Sequence, residues 1–141
     1  MTIKHTQNKT IFLDRDGTLI KEKHYLIDPN DVEIETTVID ALHLLQKHHY
    51  SFIIITNQAG IGKGHFTESE YQATQDYIED LFKKENIIFQ KTYYCPYHTQ
   101  ATVPQYKQDS PYRKPNPGML LDAISEFNID PSQSFMIGDK L

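Results

Sequence analysis

Thr10-Ile11-Phe12-Leu13-Asp14-Arg15-Asp16-Gly17-Thr18 sets a short β-branched and apolar run directly against two aspartates and a turn signal. Three more runs of the same kind follow. Ser51-Phe52-Ile53-Ile54-Ile55 stops at Thr56-Asn57, Lys91-Thr92-Tyr93-Tyr94 stops at Cys95, and Ser134-Phe135-Met136-Ile137 stops at Gly138-Asp139. None of them alternates apolar with polar, which predicts strands covered on both faces, as in parallel sheets. Helical patterns lie between them. Val38, Ala41, Leu42 and Leu45 repeat at helical spacing from Thr37 to about His49. Thr67-Glu68-Ser69-Glu70 is a capping box, and the helix it opens carries Tyr71, Ile78, Leu81 and Phe82 on one side. Asn116-Pro117 starts a third helix, with Leu120, Ile124 and Phe127 facing inward. Strand and helix alternating in this way predict an α/β fold, a mainly parallel sheet with helices on both faces. Residues Pro96 to Pro115 lack periodicity and are expected to form a long functional loop.

The chain has 141 residues, one domain's worth, with 38% hydrophobic and 23% charged residues, an ordinary globular balance. No apolar run approaches the ~20 residues of a membrane helix, and the first residues hold no apolar signal core. The net charge of -5 is the wrong sign for gripping nucleic acid by its phosphates. One cysteine, Cys95, forbids an intrachain disulfide and fits a reducing compartment. The expectation is a cytoplasmic protein, monomeric or weakly dimeric, with neither membrane nor nucleic acid as partner.

Right-handed crossovers bring all four strand ends to one edge of the sheet, where ligands bind in open α/β folds. Asp14, Thr56, Cys95 and Asp139 meet there. Alternate residues at a strand end point the same way, so Asp14 and Asp16 can share a site. Two close carboxylates need a cation, a shared proton or both. Such a pair serves acid–base chemistry or binds a hard metal ion, and in isolation it also suits a surface turn. Gly60-Ile61-Gly62-Lys63-Gly64 is not a P-loop, since that motif needs glycine where Asn57 stands and Ser or Thr where Gly64 stands. These glycines are expected to form a flexible loop.

The string D-x-D-G-T at 14–18 resembles the first motif of the haloacid dehalogenase (HAD) superfamily. Thr56 resembles its second motif, Arg113-Lys114-Pro115 its third, and Gly138-Asp139-Lys140 its fourth. Thr56-Asn57-Gln58-Ala59-Gly60-Ile61, Tyr94-Cys95-Pro96 and Arg113-Lys114-Pro115-Asn116-Pro117-Gly118-Met119 narrow the likeness to the D-glycero-D-manno-heptose 1,7-bisphosphate phosphatases. Histidinol-phosphate phosphatases are close cousins. The resemblance covers the chain from about residue 10 and implies a Rossmann-like HAD fold.

It further implies a Mg²⁺-dependent phosphatase acting on a small phosphorylated sugar, with Asp14 as nucleophile and Asp16 as acid, then base. Asp14, Asp139 and the Asp16 carbonyl would hold the metal. Lys114 and the Thr56 hydroxyl would steady the phosphoryl group. Arg113 is the candidate for a second phosphate. Glu22, Lys23, His24 and Tyr25, where the family's flap begins, join Asn57, Gln58 and Lys140 as candidates for substrate contact.

Two departures from the family pattern matter. Many relatives hold a structural zinc in the third loop, but here Tyr97, Ser110 and Tyr112 stand where three of its four ligands would be. Even with His98 as a substitute the set is incomplete, so zinc is expected to be absent and Cys95 to be a partly buried thiol. The chain also stops at Leu141, which implies a sheet short of the family's C-terminal helix and strand, with the fourth strand an exposed edge and Asp139 loosely held.

Overall fold

The computed structural model describes residues 8–140. Strands β1 (Thr10–Leu13), β2 (Ser51–Asn57), β3 (Lys91–Cys95) and β4 (Phe135–Ile137) form one sheet in the order β3-β2-β1-β4. Every pair is parallel, with Leu13 beside Ile54 and Ile137, and Asn57 beside Cys95. Helices α1 (Val38–Lys47), α2 (Ala59–Gly62), α3 (Glu68–Lys83) and α4 (Gly118–Phe127) lie between the strands in sequence.

The continuous apolar runs are explained by what each face meets. Ile11, Leu13, Phe52 and Ile54 pack with Leu42 of α1 and Ile78 and Phe82 of α3. The alternate residues Phe12, Ile53 and Ile55 pack on the other face with Met119 and Ala123 of α4. Each such side chain contributes roughly 1.5–3 kcal/mol by leaving water. The capping box of α3 forms as expected: Glu70 N donates to Thr67 Oγ1 at 3.1 Å and Thr67 N to Glu70 Oε1 at 3.0 Å.

Three local expectations change. The glycine-rich stretch after β2 forms the one-turn helix α2 instead of a flexible loop. A Cβ on Gly60 would sit 2.5 Å from the Phe66 ring, and one on Gly62 would sit 2.6 Å from the Pro96 carbonyl oxygen. Close packing explains both glycines. The expected long loop is fastened here, since Thr102 N and Val103 N both donate to Gly62 O at 3.0 Å. Helix α4 starts at Gly118, one residue after the expected Pro117, because the Asn116 side chain donates to Ser110 O at 2.9 Å instead of capping. Finally, Cys95 is wholly buried, in the core beneath α4.

At the other edge β4 pairs only with β1 among the described residues. Phe135, Met136 and Ile137 remain 41–57% exposed, as an edge strand implies.

Candidate active site

The sheet ladder itself positions the chemistry. Asp14 N donates to Ile137 O at 2.9 Å, one step beyond β1, and Gln58 N donates to Cys95 O at 2.8 Å, one step beyond β2. The ends of all four strands are thereby pinned to one edge. A cavity of ≈ 960 Å³ opens there. Its wall includes Asp14, Asp16, Glu22, His24, Tyr25, Asn57, Gln58, Arg113, Lys114, Asp139 and Lys140, all of them expected from the sequence.

Lys114 Nζ lies 2.9 Å from Asp14 Oδ1 and donates to Ile55 O at 2.9 Å. An ammonium has three N–H donors, so one is left for a ligand. The Lys114 backbone is held in turn by Asn57, whose side chain accepts from Lys114 N at 3.0 Å and donates to Lys114 O at 3.2 Å. Asn57 thus positions the lysine. The Asp14 Oδ1 atom also accepts from Arg15 N at 2.8 Å, while Oδ2 turns toward Gly138.

Asp16 is held by side chains. Its Oδ1 accepts from Arg15 Nε at 3.3 Å and Nη2 at 3.1 Å, and its Oδ2 accepts from Gln58 Nε2 at 2.9 Å. Gly17 follows with φ +84°, a left-handed conformation that glycine adopts without strain. A Cβ there would fall 2.2 Å from Asp139 Oδ2, so the Asp139 carboxylate rests directly on this turn. Gly138 is in ordinary contact with Asp14, its Cβ position 3.5 Å from Asp14 Cβ.

Asp14 and Asp139, with the Asp16 carbonyl, are the oxygen donors available to a small hard cation, which takes one or two carboxylates and keeps several waters. Among the described residues no three His, Cys, Asp or Glu side chains converge.

Two expected contacts do not reach the wall. Thr56 is 1% exposed and lies beneath Gln58, its hydroxyl accepting from Gln58 Nε2 at 2.9 Å and reaching Asn57 O only at 3.4 Å. Lys23 is drawn away from the cavity into an ion pair with Glu33. Neighbouring Tyr25 does face inward, stacked on His65 with ring centroids 3.9 Å apart, which docks the flap against the segment after α2. In the third loop, Ser110 is buried, with Oγ accepting from Tyr112 N at 3.1 Å. Burial pushes the Cys95 thiol upward, partly countered by the Tyr97 backbone and the Ser110 side chain.

Arg15 is the main residue that sequence reasoning missed. Its side chain is 2% exposed, although it stands between two site aspartates. Strand alternation carries some signal, since it turns residue 15 away from its neighbours. Its partner, Gln75 Oε1 at 3.1 Å, lies 60 residues away and carries none.

Comparison with known proteins gives the family. Residues 9–141 match the family described as polynucleotide kinase 3 phosphatase. The chain is 41% identical over 134 residues to the D-glycero-beta-D-manno-heptose-1,7-bisphosphate 7-phosphatase of Haemophilus influenzae, covering 95% of this chain and 72% of that one. It belongs to the heptose bisphosphate phosphatase family of the HAD superfamily.

As a HAD phosphatase it shares its fold with a Mesorhizobium loti protein assigned to the HAD-like phosphatases. That structure is 30% identical, with a TM-score of 0.90 over 99% of this chain and 67% of that one. The D,D-heptose 1,7-bisphosphate phosphatase of B. bronchiseptica, solved with magnesium and phosphate, has the same fold at 23% identity. Its TM-score is 0.81 over 94% of this chain and 71% of that one. No helix among the described residues of this phosphatase is long and apolar enough to cross a membrane.

Proposed function

We propose that this HAD phosphatase removes the 7-phosphate of D-glycero-β-D-manno-heptose 1,7-bisphosphate through a phosphorylated Asp14. The observation that carries the mechanism is the Asp14–Lys114 pair at the mouth of the strands, 2.9 Å apart at the cavity wall. The pairing aims the carboxylate, and the remaining lysine proton is available to a phosphoryl oxygen. Asp14 forms a bond to phosphorus as the bond to the sugar oxygen breaks, and Asp16 delivers a proton to that oxygen. Water then attacks phosphorus, its proton passes to Asp16, and the Asp14–phosphorus bond breaks. Splitting one slow hydrolysis into two displacements is the advantage of covalent catalysis.

Asp14 and Asp139, with the Asp16 carbonyl, would hold Mg²⁺, which would screen the repulsion between nucleophile and phosphate. Arg113 and Lys140, both on the cavity wall, suit the second phosphate of a bisphosphate. The relatives' substrate supports the choice of sugar.

The test is a panel of sugar phosphates and histidinol phosphate, assayed with Mg²⁺ and again with EDTA, on the parent and on Asp14→Asn. We expect the heptose bisphosphate to be preferred, activity to vanish with EDTA, and Asp14→Asn to fold but not turn over. Preference for histidinol phosphate would overturn the substrate, and turnover by Asp14→Asn the mechanism.

A further inference from the structure

We propose that Gln58 and Arg15 are positioning residues for Asp16, orienting one oxygen of its carboxylate for proton exchange. The inference rests on the reading of Asp16 as acid and base. A carboxylate offers about four lone-pair sites. Three are engaged: Arg15 Nε and Nη2 on Oδ1, and Gln58 Nε2 on Oδ2. The site left over is on Oδ2, in a side chain that borders the cavity. One lone pair is therefore selected to carry the proton, and the carboxylate is prevented from rotating away.

Both holders are themselves held. The Gln58 amide nitrogen has two hydrogens and two acceptors, Asp16 Oδ2 and Thr56 Oγ1, each at 2.9 Å. Its backbone is tied to β3 through Cys95 O. Thr56 thus contributes from below, as the anchor that fixes which way Gln58 points. Arg15 is buried, and a buried charge requires partners. It has Asp16, Gln75 Oε1 at 3.1 Å, and the face of Tyr71, whose ring centroid lies 5.7 Å from the guanidinium carbon. Gln75 is fastened in turn to Thr92 Oγ1 at 3.1 Å and Glu79 Oε2 at 3.3 Å. The planar fork of arginine can bind a carboxylate and an amide together, which a lysine cannot reproduce. Asp16 is consequently braced by β2 on one side and by α3 on the other.

A merely structural role for these residues slows both half-reactions of either ester alike. Positioning of a proton carrier spares phosphorylation by an ester whose leaving group needs no proton, and slows the step that consumes water. A p-nitrophenolate leaves without a proton, whereas a sugar alkoxide does not, and both phosphoenzymes need a base for the water. In Gln58→Met, which keeps the length and loses the donors, p-nitrophenyl phosphate should give a burst of about one p-nitrophenolate per chain. The steady state that follows should be about 10²-fold below the parent. The heptose bisphosphate should show no burst, with kcat down about 10²-fold and KM within about twofold. Gln75→Met, reaching Asp16 only through Arg15, should show the same pattern at smaller amplitude, and it carries the test if Gln58→Met fails to fold.

Equal loss on both esters without a burst, or parent-like turnover of both, would overturn the proposal. Parent-like turnover by Asp14→Asn would instead refute the aspartyl-phosphate reading beneath it.

Discussion

Replacing Gly17 by alanine tests the tightest contact in the site. The added methyl carbon would lie 2.2 Å from Asp139 Oδ2 and 2.7 Å from its Cγ, where ordinary contact begins at 3.4 Å. Backbone at φ +84° cannot easily yield, because it already occupies the left-handed region. The Asp139 carboxylate must therefore move by about 1 Å, a displacement that costs ~10²-fold in rate at a catalytic group. The methyl also adds about 1–2 kcal/mol of left-handed strain, which lowers Tm by roughly 5 °C for a chain of this size. Steady-state kinetics with titrated Mg²⁺ and a melting curve measure both effects. We expect kcat to fall ~10²-fold and half-saturation to need more Mg²⁺, with the fold retained. A Gly17→Ala enzyme within threefold of the parent's rate and with unchanged Mg²⁺ demand would refute the placement of Asp139 as a ligand.

Asp16→Ala with p-nitrophenyl phosphate should trap phosphate covalently on Asp14, seen as a mass increase of one phosphoryl group that is lost in hydroxylamine. Tyr71→Phe should match or raise Tm, since the Tyr71 hydroxyl is buried without a hydrogen-bond partner among the described residues, and such a group costs about 1–3 kcal/mol. Burial raises the Tyr71 and Cys95 ionisations, and burial with the Glu68 hydrogen bond pushes Tyr94 up to about 12. Raised values in the folded state mean that it retains protons the unfolded chain releases. The stability they contribute is complete below the unfolded values and declines as pH climbs through the alkaline range. Tm should therefore fall above pH ~9, less steeply in Tyr71→Phe. Cys95 should resist alkylation in the native state and react in full once denatured, and elemental analysis should find little zinc.

The residues that bear the fold were legible for a local reason. An uninterrupted apolar run such as Phe52-Ile53-Ile54-Ile55 needs cover on both faces, and the two core clusters supply it. Asp14, Asp16, Asn57, Gln58, Lys114 and Asp139 were legible because each follows a strand or stands in a short motif, and strand ends share one edge. Lys23 pairs with Glu33 because of how the flap folds back, which neighbouring sequence does not encode. The glycines at 60 and 62 looked like freedom and are instead close contacts, with Phe66 and Pro96.

The sequence by itself determined the element order, the parallel sheet, the family and the identity of the charged groups at the strand ends. These follow from hydrophobic periodicity, turn chemistry and contiguous motifs, all of which act over a few residues. Only the tertiary structure decided how those groups are held. Arg15 became a buried brace because α3 brings Gln75 and Tyr71 to it, and Thr56 became the floor under Gln58 because the ladder of β2 and β3 fixes both. Hydrogen bonds between residues 40 to 60 positions apart are set by how whole elements pack, and no local pattern anticipates them.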